Sequence, residues 1–512
     1  MPTLTQAEDG AQRSRDVSIP ADATDLPSFE ARLVLCVAGA KALYLVALSN
    51  MYGLNAADLH QLAQGRHLAW AYIDTMPFTP VLYRLVEETV GVSSLTLHAP
   101  AIFTGSLLVV VSALLARELG GGRWAQVTCA LLAAVGPAFL GSSQIMFPQI
   151  FDFFFFALAS LVLLRILRTG APQLWIVFGF IMGVGILNKI TIAIWLVITV
   201  ATLLMSRQRR ALLTWWFAAG MAITAVLVLP SALWLLAHRD EFSRFVGSQP
   251  KALADLAKFL IVPVVAATPF GTVLWARGLR PSRPARPVPA AGFLGIAAVL
   301  MAGLLWILGA NPFHSAALIL PLAAVGAAQL QGTRSRQFRV AVTAGVVVTG
   351  LALAPFVTTI VPEDRLMSSG VGDLFNLNYF VGYRQVADDI AAAYHDMPDG
   401  GEPATILTYT SNEAAVLDYW HEELGVPRPI SGENNFGTWG PGQASDSAPV
   451  LVVGFSAEEA AGHFVGCREL GTIGAGGQPM DPNERGRLLL ACERPAEPWS
   501  TLWPQLLRFE RI

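Results

Sequence analysis

The stretch from Tyr52 to Thr79 holds more groups able to do chemistry than a connector needs. Asp58, His60, Arg66, His67 and Asp74 are interspersed there with Trp70 and Tyr72. A carboxylate or an imidazole can take a proton, and a guanidinium can hold an anion. Asp58 is the expected base. His60, whose ring titrates nearer neutrality, is the second candidate. Arg66, His67, Trp70, Tyr72 and Asp74 are the expected substrate-binding surface. Asn55 can cap a helix that opens at this point, placing Asp58 in its first turn, where the dipole favours a carboxylate. Leu59, Leu62 and Leu68 predict that this helix rests its apolar face on the membrane surface.

Other polar residues stand where hydrophobicity does not explain them. Asp152 directly precedes four Phe and needs a donor or a polar cavity. Lys189, between two short apolar runs, offers a compact charge to a phosphate. Lys41 lies inside the first apolar segment and is expected to face the bundle in a structural ion pair. His238 and Arg244, beside Arg239, Asp240 and Glu241, are further candidates for an anionic ligand. Asn434, Asn435 and Trp439 suit a carbohydrate, as do Tyr409, Asn412 and Phe436. The histidines are isolated and no Cys pair has ligand spacing, so a divalent metal is possible but not indicated; phosphate-loop and dinucleotide fingerprints are missing too.

The elements that position these groups follow from composition. The chain of 512 residues is 54% hydrophobic and 14% charged, with a mean hydropathy of +0.51. That describes a polytopic membrane protein. Eleven spans are expected, near 30–50, 98–117, 122–140, 150–167, 172–187, 190–206, 212–236, 256–276, 290–309, 315–331 and 338–358. Arginines cluster at Arg165 and Arg168, at Arg207 to Arg210, at Arg277 to Arg286 and at Arg334 to Arg339. Those clusters put the N-terminal tail, residues 1–29, inside. The loop 51–97 and everything past 358 then lie outside. No cleavable signal peptide is expected.

Residues 359–512 are different material. They contain no Lys and more acidic than basic groups, which argues against a nucleic-acid partner. Runs at Ala404–Tyr409 and Pro449–Gly454 read as buried strands, and Tyr383–Tyr394 and Asn412–Leu424 as helices. A small extracytoplasmic α/β domain is expected, with Cys467 and Cys492 able to bridge in an oxidising compartment.

The run Arg66-His-Leu-Ala-Trp-Ala-Tyr-Ile-Asp-Thr-Met-Pro-Phe-Thr-Pro, the Asp152 helix, Gly185-Ile-Leu-Asn-Lys189, Leu229-Pro-Ser-Ala-Leu-Trp234 and Glu433-Asn-Asn-Phe-Gly-Thr-Trp-Gly-Pro resemble one family. It is the bacterial glycosyltransferase C superfamily, in the branch of dolichyl-phosphate-mannose-protein mannosyltransferases and lipid A aminoarabinose transferases. The resemblance implies a membrane module at 30–358 and a polyprenyl-phosphate sugar as donor. It also implies transfer to a hydroxyl on a cell-envelope glycan, glycolipid or protein at the outer face of the bacterial cytoplasmic membrane. The donor phosphate would lie near Lys189, with Arg244 and His238, and Asp152 would match a second acidic position. Relatives carry Arg-Asp-Glu before a Leu where this chain has Ala56, Ala57 and Asp58. Two readings follow: Asp58 serves as base in an inverting transfer, or the protein moves another lipid-linked group or has lost transfer, acting as a lipid-binding or transport protein.

Overall fold

The computed structural model describes residues 26–248, 256–280, 292–363, 365, 380–397, 403–477 and 480–509. A helical bundle comes first. It contains α1 (Ala31–Leu48), the loop helices α2 (Ala56–Arg66) and α3 (Phe78–Thr89), then α4 (Ser94–Glu118), α5 (Arg123–Val135), α6 (Pro137–Gly141), α7 (Pro148–Thr169) and α8 (Leu174–Asn188). It continues with α9 (Thr191–Leu204), α10 (Trp215–Ala237), α11 (Arg239–Gly247), α12 (Leu256–Ala266), α13 (Thr268–Gly278), α14 (Gly292–Ile307), α15 (Ile319–Gln331) and α16 (Arg336–Leu353).

All eleven apolar segments are helical among the described residues, but not all alike. Six helices are long and apolar enough to cross a membrane, and α5, α8, α9 and α14 are shorter. The segment at 256–276 is no straight span: α12 and α13 meet at 108°. Thr268, at φ 65°, makes the corner, and its Oγ1 accepts from the Gly271 N–H in the first turn of α13. A β-branched residue is strained in that conformation.

Lys41 corrects another expectation. Its ammonium is buried with three backbone carbonyls, of Gly105, Ala133 and Phe139, at 3.3, 3.0 and 3.1 Å, rather than with a carboxylate. The reason is local. Pro137 has no N–H to give the Ala133 carbonyl four residues back, so α5 ends with an unmet acceptor inside the bundle. Lys41 supplies the missing donor.

The C-terminal unit is α/β. It has α17 (Tyr383–His395), β1 (Thr405–Thr408), α18 (Ser411–Leu424), β2 (Ile430–Ser431), α19 (Asn434–Trp439), β3 (Val450–Val453), α20 (Ala457–His463), β4 (Phe464–Val465), β5 (Arg468–Thr472), β6 (Leu488–Cys492), β7 (Arg494–Pro495) and α21 (Trp499–Leu506). Five strands form one sheet in the order β2-β1-β3-β6-β5, parallel at β2-β1-β3 and antiparallel beyond. The fully buried Val450–Val453 is its centre. Cys467 and Cys492 are bridged.

The helix expected on the membrane surface is instead enclosed. α2 is buried from Ala56 to Gly65, apart from the half-buried Ala57. Its apolar residues face two ways: Leu62 packs into the bundle core with Tyr83 and Leu97, while Ala56, Leu59 and Ala63 enter the core of the α/β unit with Phe436. A stripe divided between two cores leaves no face for lipid.

Candidate functional site

Three polar centres gather around α2 and α3. The first is built on Asp58. Asn55 and Asp58 form a reciprocal capping box at the start of α2, as the sequence predicts. Asp58 then collects two more donors. The Tyr83 hydroxyl of α3 donates to Oδ1 at 2.5 Å, and His98 Nε2 of α4 lies 3.0 Å from Oδ2, which also accepts from the Asn55 amide at 2.6 Å. Burial and the Asp58 charge push the Tyr83 phenol well above its ordinary value, so it keeps its proton. Asp58 is 1% exposed. Its lone pairs are spoken for.

The second centre is Asp74, which the sequence assigns to a binding surface. Its carboxylate accepts from His60 Nε2 at 2.7 Å, Gln64 Nε2 at 2.8 Å and Asn435 Nδ2 at 2.5 Å. Asn435 Oδ1 closes the ring by accepting from the Ile73 N–H at 2.8 Å. Burial pulls the His60 imidazole down, but the adjacent Asp74 outweighs it and the net direction is up. Burial likewise pushes Asp74 up, and His60 with the two amides brings it below the ordinary carboxylate range. The two shifts agree: this is a buried ion pair.

The other loop residues join the same seam. Arg66 bridges Glu87 at 2.8 Å and Asp418 of α18 at 3.3 Å. His67 stacks on Trp439 with centroids 4.1 Å apart. Tyr72 donates to the Gln64 carbonyl. Asn434, at φ 48°, turns the chain into α19 and donates its N–H to the Arg508 carbonyl at 2.8 Å. Trp70 alone keeps its ring outward, 65% exposed, while its carbonyl accepts from Ser231 of α10. Trp70 apart, the residues expected to form one binding surface therefore engage one another or the adjoining scaffold, and Arg66, His67 and Asp74 fasten the loop 51–97 to the α/β unit.

The third centre lies where α7 begins and α8 ends. Asp152 accepts from Thr191 Oγ1 at 3.2 Å, and Lys189 Nζ donates to Gln149 Oε1 at 2.5 Å. The Asn188 amide donates to the Pro148 carbonyl, and Asn188 Oδ1 accepts from Thr79 of α3. Thr79 and Tyr83 are one turn apart on one face of α3. That face of α3 thus meets Asp58 of the first centre through Tyr83 and Asn188 of the third through Thr79. Arg244 is exposed on α11, and His238 stacks on Trp234 of α10, with its Nδ1 3.0 Å from the Trp234 carbonyl. No cluster of metal-ligand residues occurs among the described residues.

Sequence reasoning missed Tyr83, His98 and Gln64. Each is an ordinary core or surface residue by its neighbours in the chain, and only the crossing of α2, α3 and α4 makes it polar company for a carboxylate.

Residues 74–234 match the model of the family described as dolichyl-phosphate-mannose-protein mannosyltransferase. The match opens on Asp74 and takes in Tyr83, His98, Asp152 and Lys189. Over nearly its whole length the chain superposes on ArnT from Cupriavidus metallidurans bound to undecaprenyl phosphate, with a TM-score of 0.56 at 15% identity, covering 89% of this chain and 97% of that one. The chain has the glycosyltransferase C fold. The same ArnT in the apo state gives a TM-score of 0.54 at 15% identity, over 90% of this chain and 97% of that one. No curated protein matches. Within this fold, the Asp58 centre joins α2, α3 and α4, the Asp152 centre touches α3 through Asn188 and Thr79, and the Asp74 centre joins α2 to the α/β unit.

Proposed function

We propose that this membrane protein transfers a sugar from a polyprenyl-phosphate donor to an acceptor hydroxyl at the outer face of the bacterial cytoplasmic membrane, with inversion. The observation that carries the reading is the family match from residue 74 to 234, because it spans Asp152 and Lys189 and sits on a fold shared with ArnT. The ArnT structure holds undecaprenyl phosphate. In the proposal the donor's phosphate lies near Lys189, a compact cation at the C-terminal end of α8. Asp58 supplies the fixed negative charge that draws off the acceptor's proton. The acceptor oxygen attacks the anomeric carbon, the bond to phosphate breaks, and its electron pair leaves on the polyprenyl phosphate. Because the leaving group is already competent, the protein's task is alignment and stabilisation of a cation-like sugar centre.

The test uses the whole protein in proteoliposomes with polyprenyl-phosphate mannose, glucose and arabinose as donors and a cell-envelope extract as acceptor. Sugar transfer and release of polyprenyl phosphate are expected with one donor, and Asp58→Asn and Asp152→Asn lower turnover by at least about 100-fold while the variants stay monodisperse. Absence of transfer from every donor, or full activity in both variants, overturns the reading. Transfer of a different lipid-phosphate-linked group is the second reading, and the position of Ala57 favours it: the resemblance places a carboxylate there and this chain has none.

A further inference from the structure

A groove of about 460 Å³ lies where α5 meets α16, lined by Trp124 of the first helix and Val340, Thr343, Ala344, Val347 and Val348 of the second. α16 is long and apolar enough to cross a membrane, and Val340 and Val348 are 57% and 65% exposed. The groove therefore opens toward lipid. From Val340 to Val348 is about 12 Å along a helix axis. The hydrocarbon of one leaflet is about 15 Å deep, so the groove is as long as a lipid chain is placed to use.

The polar atoms of the groove are already spent. The Trp124 indole N–H donates to the Arg339 carbonyl at 3.1 Å and to Thr343 Oγ1 at 2.9 Å. The Thr343 hydroxyl donates to the same carbonyl at 3.1 Å and lies 2.8 Å from that of Thr128. What is left for a ligand is apolar surface, which suits a hydrocarbon chain and offers a polar molecule nothing.

The mouth is basic. Arg336 is exposed one turn before Val340, on the stripe of α16 that continues to Ala344 and Val347. The Arg339 guanidinium lies over the Trp124 ring, 5.9 Å from its centroid. It donates to the Gln331 carbonyl at 3.3 Å, but its Nε is buried with no hydrogen-bond partner. Neither arginine pairs with a carboxylate among the described residues. A guanidinium N–H left without an acceptor is costly, and a phosphate oxygen meets it well.

We infer that this groove binds one anionic phospholipid, its acyl chain along Trp124 and the α16 valines and its phosphate on Arg336 and Arg339. The arginine clusters put this end of α16 inside, where the leaflet carries the anionic lipid. A zwitterionic headgroup would bring its own cation toward two arginines, and a second copy of the chain would bring two more. The site shares no residue with the three polar centres, so the inference goes beyond the transfer reading and does not depend on it.

The experiment delipidates the purified full chain in mild detergent and titrates it with dioleoyl phosphatidylglycerol or dioleoyl phosphatidylcholine, counting bound lipid by native mass spectrometry. Wild type should hold one phosphatidylglycerol at least about tenfold more tightly than phosphatidylcholine. Arg336→Gln combined with Arg339→Gln should bring the two lipids within about twofold of each other. Ala344→Trp, which fills the groove and leaves the arginines in place, should weaken both by about tenfold or more. Arg209→Gln, on an exposed arginine elsewhere, should match wild type. Equal affinity of wild type for the two lipids overturns the inference without recourse to any variant. So does a preference kept by the double variant, or binding that Ala344→Trp leaves intact. A dimer in place of the lipid-bound monomer overturns it too and gives the groove to a second copy.

Discussion

Replacing Asp74 by Asn tests the seam between the loop and the α/β unit. The substitution keeps the shape and removes the charge. Asp74 accepts three hydrogen bonds, from His60, Gln64 and Asn435, at 2.5–2.8 Å. Asparagine has one acceptor oxygen and an NH₂ that must face one of those donors. A hydrogen bond to a charged group is worth about 1.5–3 kcal/mol, and a buried donor left unmet costs a similar amount. One bond lost and two weakened puts the expected cost at about 3–5 kcal/mol.

The variant should also change the response to pH. His60 is raised by Asp74, so its contribution is complete below the ordinary histidine value and fades as pH rises through the raised one. Asp74 is lowered, so its contribution is complete above the ordinary carboxylate value and fades as pH falls through the lowered one. The wild-type seam is therefore tightest between those limits, and Asp74→Asn flattens both limbs. Hydrogen–deuterium exchange of residues 55–66 and 430–440 in nanodiscs, across the pH range, reads this directly. Unchanged protection in both segments, or a pH response identical to wild type, would refute the assignment of Asp74 as the fastener.

Lys41→Met should lower thermal stability by about 3 kcal/mol or more, because it strips a donor from three buried carbonyls; a melting temperature equal to wild type in the same detergent counts against that role. Burial, with the Glu413 carboxylate adding, pushes Glu484 up to about 8. The folded form thus holds a proton that the unfolded chain loses, so stability falls as pH rises from the ordinary carboxylate range to about 8. Glu484→Gln should match wild type near about pH 5 and melt higher near about pH 9, and parallel melting curves at both would contradict it. Replacing Cys467 and Cys492 by Ser opens a loop closed over a separation of 25 residues, with an expected loss of about 3 kcal/mol; urea unfolding followed by tryptophan fluorescence measures it, and an unchanged midpoint argues that the bridge adds nothing.

Much of the scaffold was legible from local chemistry. Hydropathy marks each apolar helix because a chain in lipid must satisfy its backbone within the segment. The Asn55 cap, the strands around Ile406 and Val452 and the helices at 383 and 411 follow from side-chain spacing alone. Spacing also flags Asp58, Asp74, Asp152 and Lys189 as polar groups needing company. It could not name the company. Tyr83 and His98 are 25 and 40 residues from Asp58, and Asn435 is 361 from Asp74. Those distances are closed by helix crossings and domain docking, which depend on packing the whole chain. The same limit explains α2: its apolar residues are plain in the sequence, but two cores rather than a lipid surface take them up. Lys41 shows the division most simply. The sequence determined that an ammonium buried there needs partners, and only the tertiary structure decided that those partners are carbonyls, one of them orphaned by the distant Pro137.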